Sequence, residues 1–116
     1  TGVARFEDEF ARLKTTWLER LGTVNELGGR SVIWGSGSKG VSFLNNLGSE
    51  AHIGHAVDIN PYKHGKFMAG TGQEIVAPEY LTAYQPQLVV AMNPIYVDEI
   101  RADLDRLGVD AELTAV

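Results

Sequence analysis

The chain has 116 residues, enough for one domain with a core of its own. Its apolar share of 44% and charged share of 22% are those of an ordinary globular protein, and its net charge of −5 argues against non-specific nucleic-acid binding, which needs a positive surface. The absence of cysteine excludes disulfides, thiolate metal sites and a thiol nucleophile, and no apolar run approaches the length of a bilayer span.

The lack of cysteine fits a reducing cytosol, so a cytoplasmic location with no membrane partner is the expectation. The chain opens on Thr1 rather than Met, which reads as a piece of a longer chain. In the first segment Val3, Phe6, Phe10, Leu13, Trp17, Leu21, Val24 and Leu27 recur at steps of three and four, the stripe of one long amphipathic helix. Gly28 and Gly29 supply its stop. Two readings of the stripe stay open: it packs on one face of a sheet, or it connects to a preceding domain. Residues 1–29 are therefore set apart as a connecting or packing helix, and residues 30–116 as the body of the domain.

From Arg30 short apolar runs alternate with helical patterns. "SVIWG" reads as a buried strand, "KGVSFLNNLG" as a helix ending at Gly48, and "IGHAVDIN" as a second strand. "QEIVA" is a short third strand, and "PEYLTAY" a helix with Pro78 in its first turn. "QLVVAM" is a fourth strand, nearly all apolar as strands covered on both faces are. In "NPIYVDEIRADLDRLG" Asn93 is placed as N-cap, Pro94 at the first helical position and Gly108 as the stop, and "AELTAV" closes the chain as a fifth strand. This alternation predicts a Rossmann-like three-layer α/β/α fold with a mostly parallel five-stranded sheet of order 3-2-1-4-5. Its ligand crevice falls between the first and fourth strands.

Gly35, Gly37 and Gly40 satisfy G-x-G-x-x-G with a strand before and a helix after. The first glycine allows the tight turn, the second lets a phosphate approach the backbone, and the third lets the helix pack on the strand. Free amides at the helix start attract an anion, with Ser36 and Ser38 adding hydroxyls and Lys39 a positive charge. A purely structural turn is the competing reading. Asp58, at the end of the second strand and 18 residues after Gly40, is placed either to accept hydrogen bonds from ribose hydroxyls or to cap its own Asp-Ile-Asn-Pro turn.

The loop from Asn60 to Glu74 gathers Lys63, His64 and Lys66, either a local cation cluster for a phosphate or a solvated face, and its glycines Gly65, Gly70 and Gly72 suggest a mobile flap. Across the crevice Asn93 caps a helix, and Tyr96 is placed to stack or donate its hydroxyl. His52 and His55, three apart in a strand, point to opposite faces and make no metal pair. The acidic residues of "YVDEIRADLDR" are assigned to an exposed helix face. No catalytic set and no metal site emerges. Trp34 stands where S-adenosylmethionine sites carry an acidic residue near the first glycine loop, so this chain by itself does not look like a methyl-donor site.

Together "WGSGSKGVSFLNNLG", "VDINPYKHGKFMAGTGQEIVAPEYL", "YQPQLVVAMNPIYVDEI" and "LGVDAEL" resemble the C-terminal domain of sugar C-methyltransferases that act on nucleotide-linked deoxysugars. The resemblance runs from about Val32 to the end, and the N-terminal helix matches only loosely. It implies a parent chain with a zinc-binding part and a middle domain holding S-adenosylmethionine and the general base. It assigns no catalytic residue and no cofactor to this segment. The domain then serves to hold a dTDP-sugar-like substrate beside the S-adenosylmethionine domain of the same chain. The matching positions are Gly35 to Gly40, Asp58, Asn60, Pro61, Lys63, Asn93, Pro94 and Tyr96. Two alternatives come from other classes: a small NAD(P)-binding oxidoreductase-like domain, for which only Tyr96 and His64 are proton-transfer candidates, and a vestigial nucleotide fold serving as an interaction domain.

Overall fold

A computed structural model describes the chain from Gly2 to Val116, with side chains described from Ala11 onward. Val3, Phe6 and Phe10 of the first stripe therefore lie outside the described side chains. The elements run α1 (Gly2–Glu26), β1 (Ser31–Trp34), α2 (Ser38–Leu47), β2 (Ile53–Val57), β3 (Glu74–Val76), α3 (Leu81–Tyr84), β4 (Leu88–Ala91), α4 (Val97–Leu107) and β5 (Glu112–Ala115). Short 3-10 turns precede β2, α3 and α4, and one follows β2.

All five strands are parallel in the order β3-β2-β1-β4-β5. This is the Rossmann-like arrangement that the alternation of elements predicts. Side chains alternate across the central strands. Ile33, Leu88 and Val90 join a core with Leu44 and Leu47 of α2 and Leu21 of α1. Val32, Trp34, Val89 and Ala91 join the opposite core with Leu81 of α3 and Ile100 and Leu104 of α4. Both faces are covered, which is why β1 and β4 are buried at every position and read as apolar runs, broken only by Ser31 at the start of β1.

In α1 Leu21 is fully buried, and Trp17, Leu18 and Val24 pack against the same core. The Trp17 ring meets Phe43 edge to face at 5.4 Å between centroids. Leu13 and Leu27 of the same stripe are exposed. The helix ends at Glu26, and Gly28 (φ +79) turns left-handed while Gly29 N–H bonds back to the Val24 carbonyl.

Two local readings are corrected. His52 is outside β2: it ends the turn before the strand with a left-handed backbone (φ 55), so strand spacing does not relate it to His55. The loop 60–73 is tied down instead of forming a free flap. Gly65 N–H bonds to Ile75 O, Ile75 N–H to Lys66 O and Met68 N–H to Gln73 O, and Met68 is buried in the core. Gly65, Gly70 and Gly72 meet its positive φ values of 82, 88 and 80.

Candidate functional site

The chain leaves β1 for α2 on one face of the sheet and leaves β4 for α4 on the other. The two connections diverge at the carboxyl end of adjacent strands, and a cleft of about 550 Å³ opens between them.

One wall is the glycine loop, whose three glycines differ in what the fold asks of them. Gly35 has φ +122, and a Cβ there would stand 3.1 Å from Met92 Cβ. A Cβ on Gly40 would overlap the Gly35 carbonyl oxygen and press on Ile33. Both are glycines for packing and backbone conformation. Gly37 is different: its φ is −78, open to any residue, and nothing lies within 4 Å of a Cβ placed there. It sits at the N-cap of α2, where no side chain caps the helix, and the exposed first turn carries Ser38 and Lys39.

Asp58 braces this wall. Its Oδ2 accepts from the Ser36 amide at 3.1 Å and from the Ser36 hydroxyl, and its Oδ1 accepts from the Asn60 amide at 2.9 Å. Lys63 Nζ stands 3.9 Å away. Burial pushes the Asp58 carboxyl up, but the Ser36 hydroxyl, the Asn60 and Ser36 amides and the Lys63 charge together hold it below its ordinary value. The Ser36 side chain is buried, so its hydroxyl serves Asp58 and faces away from the cleft's solvent. Asn60 Oδ1 accepts from Tyr62 N–H in the turn that Pro61 opens, and the His64 ring nitrogen lies 2.6 Å from the Asp58 carbonyl. Asn60, Pro61, Lys63 and His64 thus sit behind Asp58, outside the lining of the cleft.

The other wall is the start of α4. Asn93 Oδ1 accepts from Ile95 N–H at 3.1 Å, capping a 3-10 turn over Pro94–Tyr96 that leads into α4 at Val97. The helix therefore starts three residues later than the Asn-Pro signal suggests. Tyr96, Glu99, Ile100 and Asp103 line the cleft at helical spacing, with Trp34 and Met92 between the walls. Of the positions singled out from sequence, Gly35, Gly37, Ser38, Lys39, Gly40, Asp58, Asn93 and Tyr96 meet at the cleft. Glu99 and Asp103 belong to the acidic residues that the sequence assigns to an exposed helix face, because charge on a helix reads by default as solvated; both line the cleft. Their spacing from Tyr96 and the buried Ile100 was the available signal. Among the described residues no group of three His, Cys, Asp or Glu is placed to hold a metal, and no helix is long and apolar enough to cross a membrane.

A family model described as the C-methyltransferase C-terminal domain matches residues 1–110. This chain is a member of that family. The match includes α1, so the N-terminal helix is part of the C-methyltransferase C-terminal domain and more than a loose attachment. No curated protein matches the chain. Among solved structures it is similar to RSP, a Rex-family repressor, at 17% identity and a TM-score of 0.56, covering 80% of this chain and 56% of that one. RSP in complex with beta-NADH matches at 15% identity and a TM-score of 0.52, covering 80% of this chain and 57% of that one. This C-methyltransferase domain thus spans little more than half the length of those chains, and the likeness at such identity is one of fold.

Proposed function

We propose that this domain holds the nucleotide-linked sugar substrate of an S-adenosylmethionine-dependent C-methyltransferase, with the nucleotide's diphosphate at the glycine loop. The observation that carries the reading is Gly37. The fold requires glycine at 35 and 40 but leaves open space at 37, at the uncapped start of a ten-residue helix facing the cleft. A phosphate approaching the backbone there explains the missing side chain and uses the free amides. In this reading the amides of the first turn of α2, the Ser38 hydroxyl and the Lys39 ammonium bind the diphosphate. Asp58, a carboxylate with acceptor capacity beyond the Ser36 and Asn60 bonds, takes a ribose hydroxyl. Asn93 and Tyr96 contact the ligand from the far wall, while Ser36, Asn60, Pro61 and Lys63 hold Asp58 in place and Pro94 sets the turn.

Methyl donor and general base belong, in this proposal, to another part of the parent chain, and the present residues supply binding only. Residues 1–29 connect and pack, residues 30–116 bind, and the enzyme works in the cytoplasm. The exposed Ile59, Ile95 and Tyr96 beside the cleft favour a covering surface, which we assign to the S-adenosylmethionine domain.

A second reading is a nicotinamide dinucleotide site, favoured by the order of the glycine loop and Asp58 and by a fold neighbour whose structure holds beta-NADH. Calorimetric titration with dTDP, UDP, GDP, NADH and S-adenosylmethionine separates the two. Saturable binding of one nucleoside diphosphate, weakened by both Lys39→Ala and Asp58→Ala, supports the substrate reading. Binding of NADH alone supports the second. No binding at all assigns the loop a structural role and leaves the domain an interaction module.

A further inference from the structure

The cleft has two poles of opposite hydrogen-bonding character. On the loop wall stand donors: the uncapped amides at the start of α2, the Ser38 hydroxyl and the Lys39 ammonium. On the α4 wall stand Glu99 and Asp103, one helical turn apart, with the buried Ile100 between them. Asp103 has a partner in Arg106, 3.5 Å away; among the described residues the Glu99 side chain has no hydrogen bond or ion pair. Glu99 lies in the first turn of its own helix, on the face that lines the cleft. An ionised carboxylate only accepts, so whatever it meets across the cleft must donate or be positive. A phosphate does neither and is repelled.

We infer that Glu99 and Asp103 are specificity-determining residues of this cleft. They select a nucleoside diphosphate whose distal group is an uncharged, hydroxylated ring, and they disfavour a nucleotide that ends in a further phosphate or a carboxylate. The inference rests on the proposed diphosphate site. The cleft is large enough for both poles to be occupied at once: about 550 Å³ is within the usual range for small-molecule sites. Carboxylates are suited to hydroxyl pairs because each presents two acceptor oxygens, and an added anion at the same place would face two like charges. A purely structural role for Glu99, complementing its helix dipole, would leave ligand choice unaffected.

The test uses the 116-residue chain and its Glu99→Gln/Asp103→Asn variant, titrated calorimetrically without divalent cations. The ligands are the diphosphate, the diphosphoglucose and the triphosphate of the thymidine and uridine series. Both replacements are close in size, and circular dichroism checks that the fold is kept. The wild type is expected to bind the diphosphoglucose about tenfold more tightly than the triphosphate of the same base. In the variant the ratio should fall to about threefold or less, with the triphosphate gaining. An unchanged ratio in a folded variant overturns this inference while leaving the diphosphate site standing. Failure of every nucleotide to bind the wild type overturns the diphosphate reading, and this inference with it.

Discussion

Replacing each of two glycines of the loop by alanine separates the part of the loop that folds the protein from the part that binds. At Gly40 the new methyl would overlap the Gly35 carbonyl oxygen and press on Ile33 Cδ1, 3.2 Å away. The first obstacle is backbone, so α2 must shift away from β1. Overpacking of this kind costs about 1–3 kcal/mol, and the better helix propensity of alanine returns about 1 kcal/mol. The net expectation for Gly40→Ala is about 0–2 kcal/mol of lost stability, at most roughly 8 °C in Tm for a domain of this size. At Gly37 the methyl enters open space with φ at −78. Alanine caps a helix less well than glycine but lowers the entropy of the unfolded chain, and these effects nearly cancel, leaving a change under about 1 kcal/mol. That methyl would nevertheless stand where a phosphate must approach, so Gly37→Ala should weaken nucleoside diphosphate binding at least tenfold. Urea unfolding gives the stabilities and calorimetry the affinities. A Gly37→Ala protein that is as stable as wild type and binds as well would refute the argument that an approaching phosphate explains this glycine.

Two pH effects follow from the structure. The Asp58 carboxyl is held below its ordinary value of 3.8, burial opposing and the Ser36, Asn60 and Lys63 contacts prevailing. Its contribution is therefore fully present above that value and is lost as pH falls through the lower folded-state value. Asp58→Asn should cost about 2 kcal/mol at pH 7 and flatten the acid limb of the urea midpoint against pH; an unaltered acid limb would count against Asp58 as the brace. His55 is shifted the other way from a paired histidine. Burial under Tyr80 and Tyr84 (ring centroids 4.8 and 4.7 Å away) lowers its pKa from 6.5, with Glu74 partly opposing. Stability should then decline as pH falls below 6.5, because the unfolded chain binds that proton more readily. Since His55 Nδ1 is buried with no partner among the described residues, His55→Phe should cost little at pH 8 and abolish the decline, as measured by thermal melts from pH 8 to 5.

The strand and helix order was legible because it rests on local periodicity: β1 is apolar from Val32 to Trp34, β4 is apolar throughout, and α4 carries Ile100 and Leu104 one turn apart. The Asn-Pro turns were legible for the same reason, since Asn60 and Asn93 each accept from an amide two residues on. Helix starts were less so. α4 begins at Val97 because a 3-10 turn intervenes, and the energies of the two helical forms differ too little for composition to separate them.

By itself the sequence determined which segments form the alternating strands and helices, where the chain turns, and that a glycine-rich turn follows the first strand, because those properties depend on neighbours within about four residues. The tertiary structure alone decided which side chains meet. It turned the Ser36 hydroxyl onto Asp58, 22 residues away, and set Lys63 and His64 behind that carboxylate. It buried Leu21 while leaving Leu13 of the same stripe exposed, and it brought Glu99 and Asp103 across from Lys39. Each of these depends on packing between elements far apart in the chain, which no short stretch of residues contains.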